Sequence, residues 1–252
     1  MNFKYKIIDD EAVITGVTDY SVVNAEIPPM IDGCPVTRID DYACTYYVEL
    51  ESIVIPESVT SIGKCAFNGC ENLKSIIIPD SVLSIGDSAF ADCKSLESVI
   101  IPESVLSIGS LAFESCENLE KVTIFGDITK ISNHLFYNCT KLEEVTMPDS
   151  VLSIERYAFF NCKNLKKVTL LENVKEIGDS AFFNCKSLES VIIPNGVISI
   201  GEGAFCHCES LESMTIPESV TSVGEYAFSM CPKLSLTVRA KMIDVWREKN
   251  ER

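Results

Sequence analysis

The sequence has little of what most enzymes and nucleic-acid binders need. Its 252 residues include two histidines, His134 and His207, and one tryptophan. No G-x-S-x-G, P-loop, G-x-G-x-x-G or H-E-x-x-H spacing occurs, so no nucleophile elbow, phosphate cradle or metalloprotease motif is present. Basic residues are scarce: Lys+Arg number 21 against Asp+Glu 37, a formal net charge of −16. That balance repels phosphate backbones and anionic headgroups, which disfavours nucleic acid and anionic membrane surfaces as general partners. Nor is there a run of about 18 apolar residues to cross a bilayer. The opening MNFKYKIIDD is charged and alternating and holds no apolar core of a secretory leader. As it stands, the sequence is expected in the cytoplasm, and a large number of unpaired cysteines suits a reducing compartment.

What the chain does have is a period. Phe67, Phe90, Phe113, Phe136, Phe159, Phe182, Phe205 and Phe228 recur 23 residues apart. Cysteine follows each by three positions, from Cys70 to Cys231, and leucine by three more, from Leu73 to Leu234. No insertion or deletion interrupts the run, and a fixed internal period is the signature of a solenoid. In the unit beginning at Leu73, the alternation Leu73-x-x-Ile76-x-Ile78 predicts a strand with Ile76 and Ile78 inward and Ser75 and Ile77 outward. Pro79 ends the strand because it has no N–H for the ladder. Val82 and Ile85 turn back into the core, Gly86 permits a tight bend, and Ser88-Ala89-Phe90 suggests a short helical turn. One such unit has too small an apolar face to fold alone, so stacking must build the core.

The ends depart from the pattern. Residues 1–33 alternate with polar breaks at Asp9-Asp10 and Gly16, which predicts a β-hairpin cap. Repeats fill 34–234. Residues 235–252, where Trp246 has helical apolar spacing with its neighbours, are expected to form a helical C-terminal cap.

The unit C-x-x-L-x-x-I-x-I-P-x-S-V-x-S-I-G-x-x-A-F resembles the BspA-type leucine-rich repeat, and Ile31-Asp32-Gly33-Cys34-Pro35-Val36-Thr37-Arg38-Ile39 is similar to that family's first coil. The resemblance covers nearly the whole chain. It implies an α/β repeat solenoid of about nine coils: a curved horseshoe with a parallel β-sheet on the concave face and short helical turns on the convex face. It also implies a non-catalytic, bacterial binding module for protein–protein interaction or adhesion to host or partner-cell proteins. Members are surface proteins, so a surface location would require a leader upstream of this sequence.

Residues that could carry chemistry have plainer explanations. The cysteine column occupies a position that a small packing residue usually fills, so free structural thiols are expected rather than disulfides. Cys206-His207-Cys208 lacks the paired C-x-x-C spacing of a zinc site. Cys139 and His134 flank a core phenylalanine, which disfavours a nucleophile–base contact. Acidic columns at Glu57, Asp80, Glu103 and Asp149 and at Glu97, Glu120 and Glu143 fit a solvated surface better than a cation site. No cofactor, metal or catalytic residue is assigned, and the chain is expected to be a monomer.

Two surfaces remain as candidates for a partner. The outward strand positions of the first coils pair serine with an aliphatic residue: Ser52 and Val54, Ser75 and Ile77, Ser98 and Ile100. An apolar patch on an accessible sheet usually marks a contact site. The second surface lies where the consensus loosens. Between Lys121 and Lys186 there are nine basic and eight acidic residues, leaving the rest of the chain at −17. Those coils lose the proline at Phe125 and Leu171 and the glycine at Ser132 and Glu155. They also place His134, Tyr137, Arg156, Tyr157, Phe160 and Phe183 in phase on the outer arc. Clustered aromatics beside cations are the composition of an interface hot spot, or alternatively of a carbohydrate-binding surface.

Overall fold

Each 23-residue unit folds into a coil that carries two short strands, not one. A computed structural model describes residues 2–235 and Val238. Among them, the first strand of each unit joins a nine-stranded front sheet that runs from Asn24–Glu26 and Ser52–Val54 to Ser213–Thr215. Neighbours are parallel and in strict repeat register, as in Ser98↔Lys121 and Ile100↔Thr123. Inward residues such as Ile53, Ile76 and Val99 are buried, as alternation demands.

The second strand was not anticipated. The S-I pairs Ser61–Ile62, Ser84–Ile85 and Ser107–Ile108 form a back ladder of two-residue strands, again parallel between coils. A separate back ladder begins at Lys130–Ile131 and runs to Ser222–Val223. The glycine after each pair does not serve the bend through its φ, since Gly86 is not among the left-handed glycines. Its role is space. A Cβ on Gly86 would lie 2.6 Å from the Lys64 nitrogen and 2.7 Å from the Gly63 carbonyl carbon, so the neighbouring coil's backbone occupies that volume.

The short helical turns do not form: residues 2–235 contain no helical element. The arc that replaces them is held between coils. The Cys65, Phe67 and Gly69 N–H groups donate to Asp87, Ala89 and Ala91 of the next coil at 2.8 Å. The N–H groups between them bond three residues back in their own coil, as from Asn68 to Cys65. A helix could not do this, because it directs every interior N–H along its own axis. Alternating the direction requires left-handed residues, and each arc has two: Ser88 (φ 52°) and Asp92 (φ 56°), then His134 (57°) and Asn138 (63°), then Tyr157 (58°) and Asn161 (62°). Each costs about 1–2 kcal/mol, which inter-coil hydrogen bonds of about 1 kcal/mol apiece offset in part.

The core is a stack of identical layers. Rings from Phe67 to Phe228 lie face to face at 5.1–5.9 Å. At the amino end, β1 (Phe3–Ile8) and β2 (Glu11–Val17) form an antiparallel hairpin. Beyond capping, β2 pairs with Cys34–Ile39 of the back ladder, and β3 (Asn24–Glu26) pairs with Ser52–Val54 of the front sheet. Of the expected helical cap over 235–252, only Ser235 and Val238 are described; Trp246 lies outside the described residues.

Candidate binding surfaces

On the front face, the outward aliphatic residues are open to solvent: Ile77 is 80% exposed, Ile100 60% and Val54 58%. Ser75 and Ser98 stand beside them, exposed and paired in register. Ser52 is half-buried and donates to Asn24 Oδ1 at 2.6 Å. The strip ends at a residue not named as a contact from the sequence. Phe125 replaces the proline that closes the strand in neighbouring coils. Its free N–H extends the ladder to the Ile101 carbonyl at 2.9 Å, and its ring stands 54% exposed. Together Ser75, Ile77, Ser98, Ile100 and Phe125 line a shallow depression of about 830 Å³, with the Asp80 and Glu103 carboxylates on its rim. The lost proline was the available signal, although alternation is needed to place position 125 on the same side as Thr123. Further along, the face changes character: Lys121 pairs with Glu144 at 3.1 Å, threonines follow, and Ile192 stands alone between Thr169 and Thr215.

On the arc, the structure gathers all six predicted residues into one cluster. The His134 ring lies 5.5 Å from Tyr137 and 4.8 Å from Tyr157, and Tyr157 packs edge-on to Phe160 at 5.5 Å. The Arg156 guanidinium sits 4.6 Å over the Tyr157 ring and donates to its hydroxyl at 2.9 Å. Burial, then the Arg156 charge, lowers the His134 pKa below the usual imidazole value. Phe160 stacks on Tyr137 at 4.9 Å and on Phe183 at 4.8 Å, with planes within 6°. Both its faces are therefore covered, and only ring edges meet solvent. A sugar stacks on a free face, and the middle of this ladder offers none. The column beside it is also paired: Asn184 Nδ2 donates to Asn161 Oδ1 at 2.6 Å, and Asn161 Nδ2 to Asn138 Oδ1. The arrangement is that of a second stacked spine outside the phenylalanine core.

The remaining candidates are structural. All twelve cysteines are free thiols, and only Cys34 and Cys65 are more than slightly exposed. Cys93 Sγ donates to the Phe67 carbonyl at 3.3 Å, and the same bond recurs from Cys116 to Phe90 and from Cys162 to Phe136. Burial raises these thiols, Cys70 to about 12, which leaves no thiolate to act as nucleophile or ligand. Cys139 is among them, and its thiol points at the Phe113 carbonyl. Around Cys206-His207-Cys208, the His207 ring packs edge-on to Phe183 at 5.4 Å; among the described residues no cluster of metal-ligating side chains forms. The acidic column is broken by cross-coil ion pairs, Lys74–Glu51 at 2.7 Å and Lys166–Glu143 at 2.9 Å.

Comparison with known proteins agrees with this architecture. A family model described as "BspA type Leucine rich repeat region" matches residues 37–162 and 129–247. The chain is similar to the crystal structure of a leucine rich cell surface protein from Faecalibacterium prausnitzii, at 28% identity over 93% of this chain and 80% of that one, with a TM-score of 0.69. A leucine-rich repeat protein from Bacteroides ovatus matches at 26% identity with the same coverage and a TM-score of 0.67. The leucine rich repeat protein of T. pallidum matches at 28% identity over 97% of this chain and 93% of that one, with a TM-score of 0.53. No curated protein matches.

Proposed function

Because the chain belongs to the BspA-type leucine-rich repeat family, we propose that it is a non-catalytic scaffold that binds another protein through the front sheet, the face expected to be concave. The observation that carries this reading is the exposure of Val54, Ile77 and Ile100 in three successive coils, on a sheet whose strands pair in parallel from coil to coil. Leaving adjacent aliphatic side chains in water forgoes about 1.5–3 kcal/mol each that burial would return. The arc aromatics do not share this property, since their faces bury one another. The likeness to a leucine rich cell surface protein supports a partner met at a bacterial surface.

The test compares two sets of variants in capture from host-cell and bacterial extracts, quantified by mass spectrometry. One set carries Ser75→Arg and Ile100→Arg on the front sheet; the other carries Arg156→Ala and Tyr157→Phe on the arc. A partner lost with the first set and kept with the second is the expected outcome. A partner lost only with the second would move the binding surface to the arc.

A further inference from the structure

Resting on the front sheet as the binding face, we propose that the depression around Ile77, Ile100 and Phe125 takes a short partner segment bearing an aliphatic or aromatic anchor flanked by lysine or arginine. Three features combine there and, among the described residues, nowhere else on the front sheet. The floor is apolar in two adjacent coils, at Ile77 and Ile100. Phe125, at a position that holds proline in neighbouring coils, adds an exposed ring to the lining. The rim carries Asp80 and Glu103, both exposed, and among the described residues neither forms an ion pair.

The surrounding charge points the same way. The cations beside the lining strands are committed elsewhere: Lys74 to Glu51 at 2.7 Å and Lys121 to Glu144 at 3.1 Å. A segment that seats an apolar side chain on Ile77 and Ile100 brings its flanks to Asp80 and Glu103. Cationic flanks gain there, and acidic flanks meet like charge in a chain already at −16. The strands Ser75–Ile76, Ser98–Ile101 and Lys121–Ile124 are interior to the front sheet, each with a strand on either side, so the segment is held by side chains and does not add an edge strand. Ile192 offers a single exposed aliphatic between threonines, without a second floor residue or a wall.

The probe is a fluorescein-labelled peptide with a Leu-Phe pair between lysines, titrated with the full chain by anisotropy at low and moderate salt. Controls are the same peptide with serine for Leu and Phe, and with glutamate for lysine. The double variant Ile77→Thr/Ile100→Thr carries the residue that positions 123, 146 and 169 have naturally, so its fold is retained; an unchanged melting curve checks this. Binding should weaken by about tenfold or more in that variant and in Phe125→Ser. Asp80→Asn with Glu103→Gln should weaken it less and flatten its salt dependence. Equal binding by the double variant, equal binding of the glutamate peptide, or no binding of the lysine peptide overturns the proposal. Concentration-dependent self-association abolished by Ile77→Thr/Ile100→Thr would assign the depression to a second copy of the chain and overturn it too. A captured partner that depends on Ser75→Arg but not on Phe125→Ser would remove this site and leave the front-sheet reading standing. Loss of all front-sheet dependence would remove both.

Discussion

The coils up to Gly109 and the central coils that carry Ser132 and Glu155 solve the same stacking problem differently. In the first group, glycine at 63, 86 and 109 lets coils close tightly along the back ladder, and glycine does so again at 178, 201 and 224 beyond the central coils. At the boundary the ladder stops. Ser132 takes the glycine position, and its hydroxyl donates to the Ile108 carbonyl at 2.5 Å, where a backbone N–H from the next coil would otherwise bond, as Gly109 does to Ile85. The phenylalanine spacing is also widest there, 5.9 Å between Phe113 and Phe136. The second group recovers cohesion on the arc, with the Tyr137–Phe160–Phe183 stack and the asparagine column. The two groups thus place their apolar surplus on different faces. The first coils leave it open on the front sheet, and the central coils spend it on themselves. In the arc, both faces of the Phe160 ring are covered by its stacking neighbours.

The largest expected effect tests what both groups share. Nine buried thiols have raised pKa values, so the folded chain keeps protons that the unfolded chain releases above pH 9. Stability is then fully present below pH 9 and falls as pH rises toward the folded pKa values, by about 1.4 kcal/mol per thiol per pH unit. Denaturant melts should collapse between pH 9 and 11. Cys93→Ala and Cys162→Ala should each reduce the slope by one proton, equally in the two groups; a flat profile would mean that the thiols are not buried as described.

Next in size, Tyr137→Ser/Phe160→Ser/Phe183→Ser should lower stability by several kcal/mol, since each truncation of a stacked ring costs about 1–3 kcal/mol. Chemical denaturation with an unchanged midpoint would show that the rings are interfacial after all. Gly86→Ala should cost about 1–3 kcal/mol by forcing the neighbouring coil's backbone apart, whereas Ser132→Gly should cost about 1 kcal/mol through one lost hydrogen bond. Equal costs would erase the difference between the groups. The smallest effect belongs to Lys121→Ala, which removes an exposed ion pair with Glu144 and should shift stability by less than about 1 kcal/mol.

Much of the fold was legible because a one-dimensional period maps directly onto layers. The inward column of phenylalanine, cysteine and leucine, the outward Ser–aliphatic strips and the six arc residues all followed from phase. The second strand was not legible, because two residues of S-I carry no alternation to detect. Nor was the absence of helix from the arcs, since Ser88-Ala89-Phe90 has no residue that demands a left-handed backbone; only inter-coil hydrogen bonding requires it there. The cysteines illustrate the same limit. Their number suggested a reducing compartment, but thiols this deeply buried have raised pKa values and little access to oxidant, and so they report packing rather than location.

By itself, then, the sequence determined the coil, its period and which side chains face inward, because those depend on contacts within one unit and its exact repetition. Tertiary structure alone decided how neighbouring coils touch: glycine chosen for the space beside an adjacent backbone, an arc with its N–H groups turned outward, and a phenylalanine freed from the proline position to wall a depression. These are distances between residues 22 to 25 apart, and each depends on what the next coil places opposite.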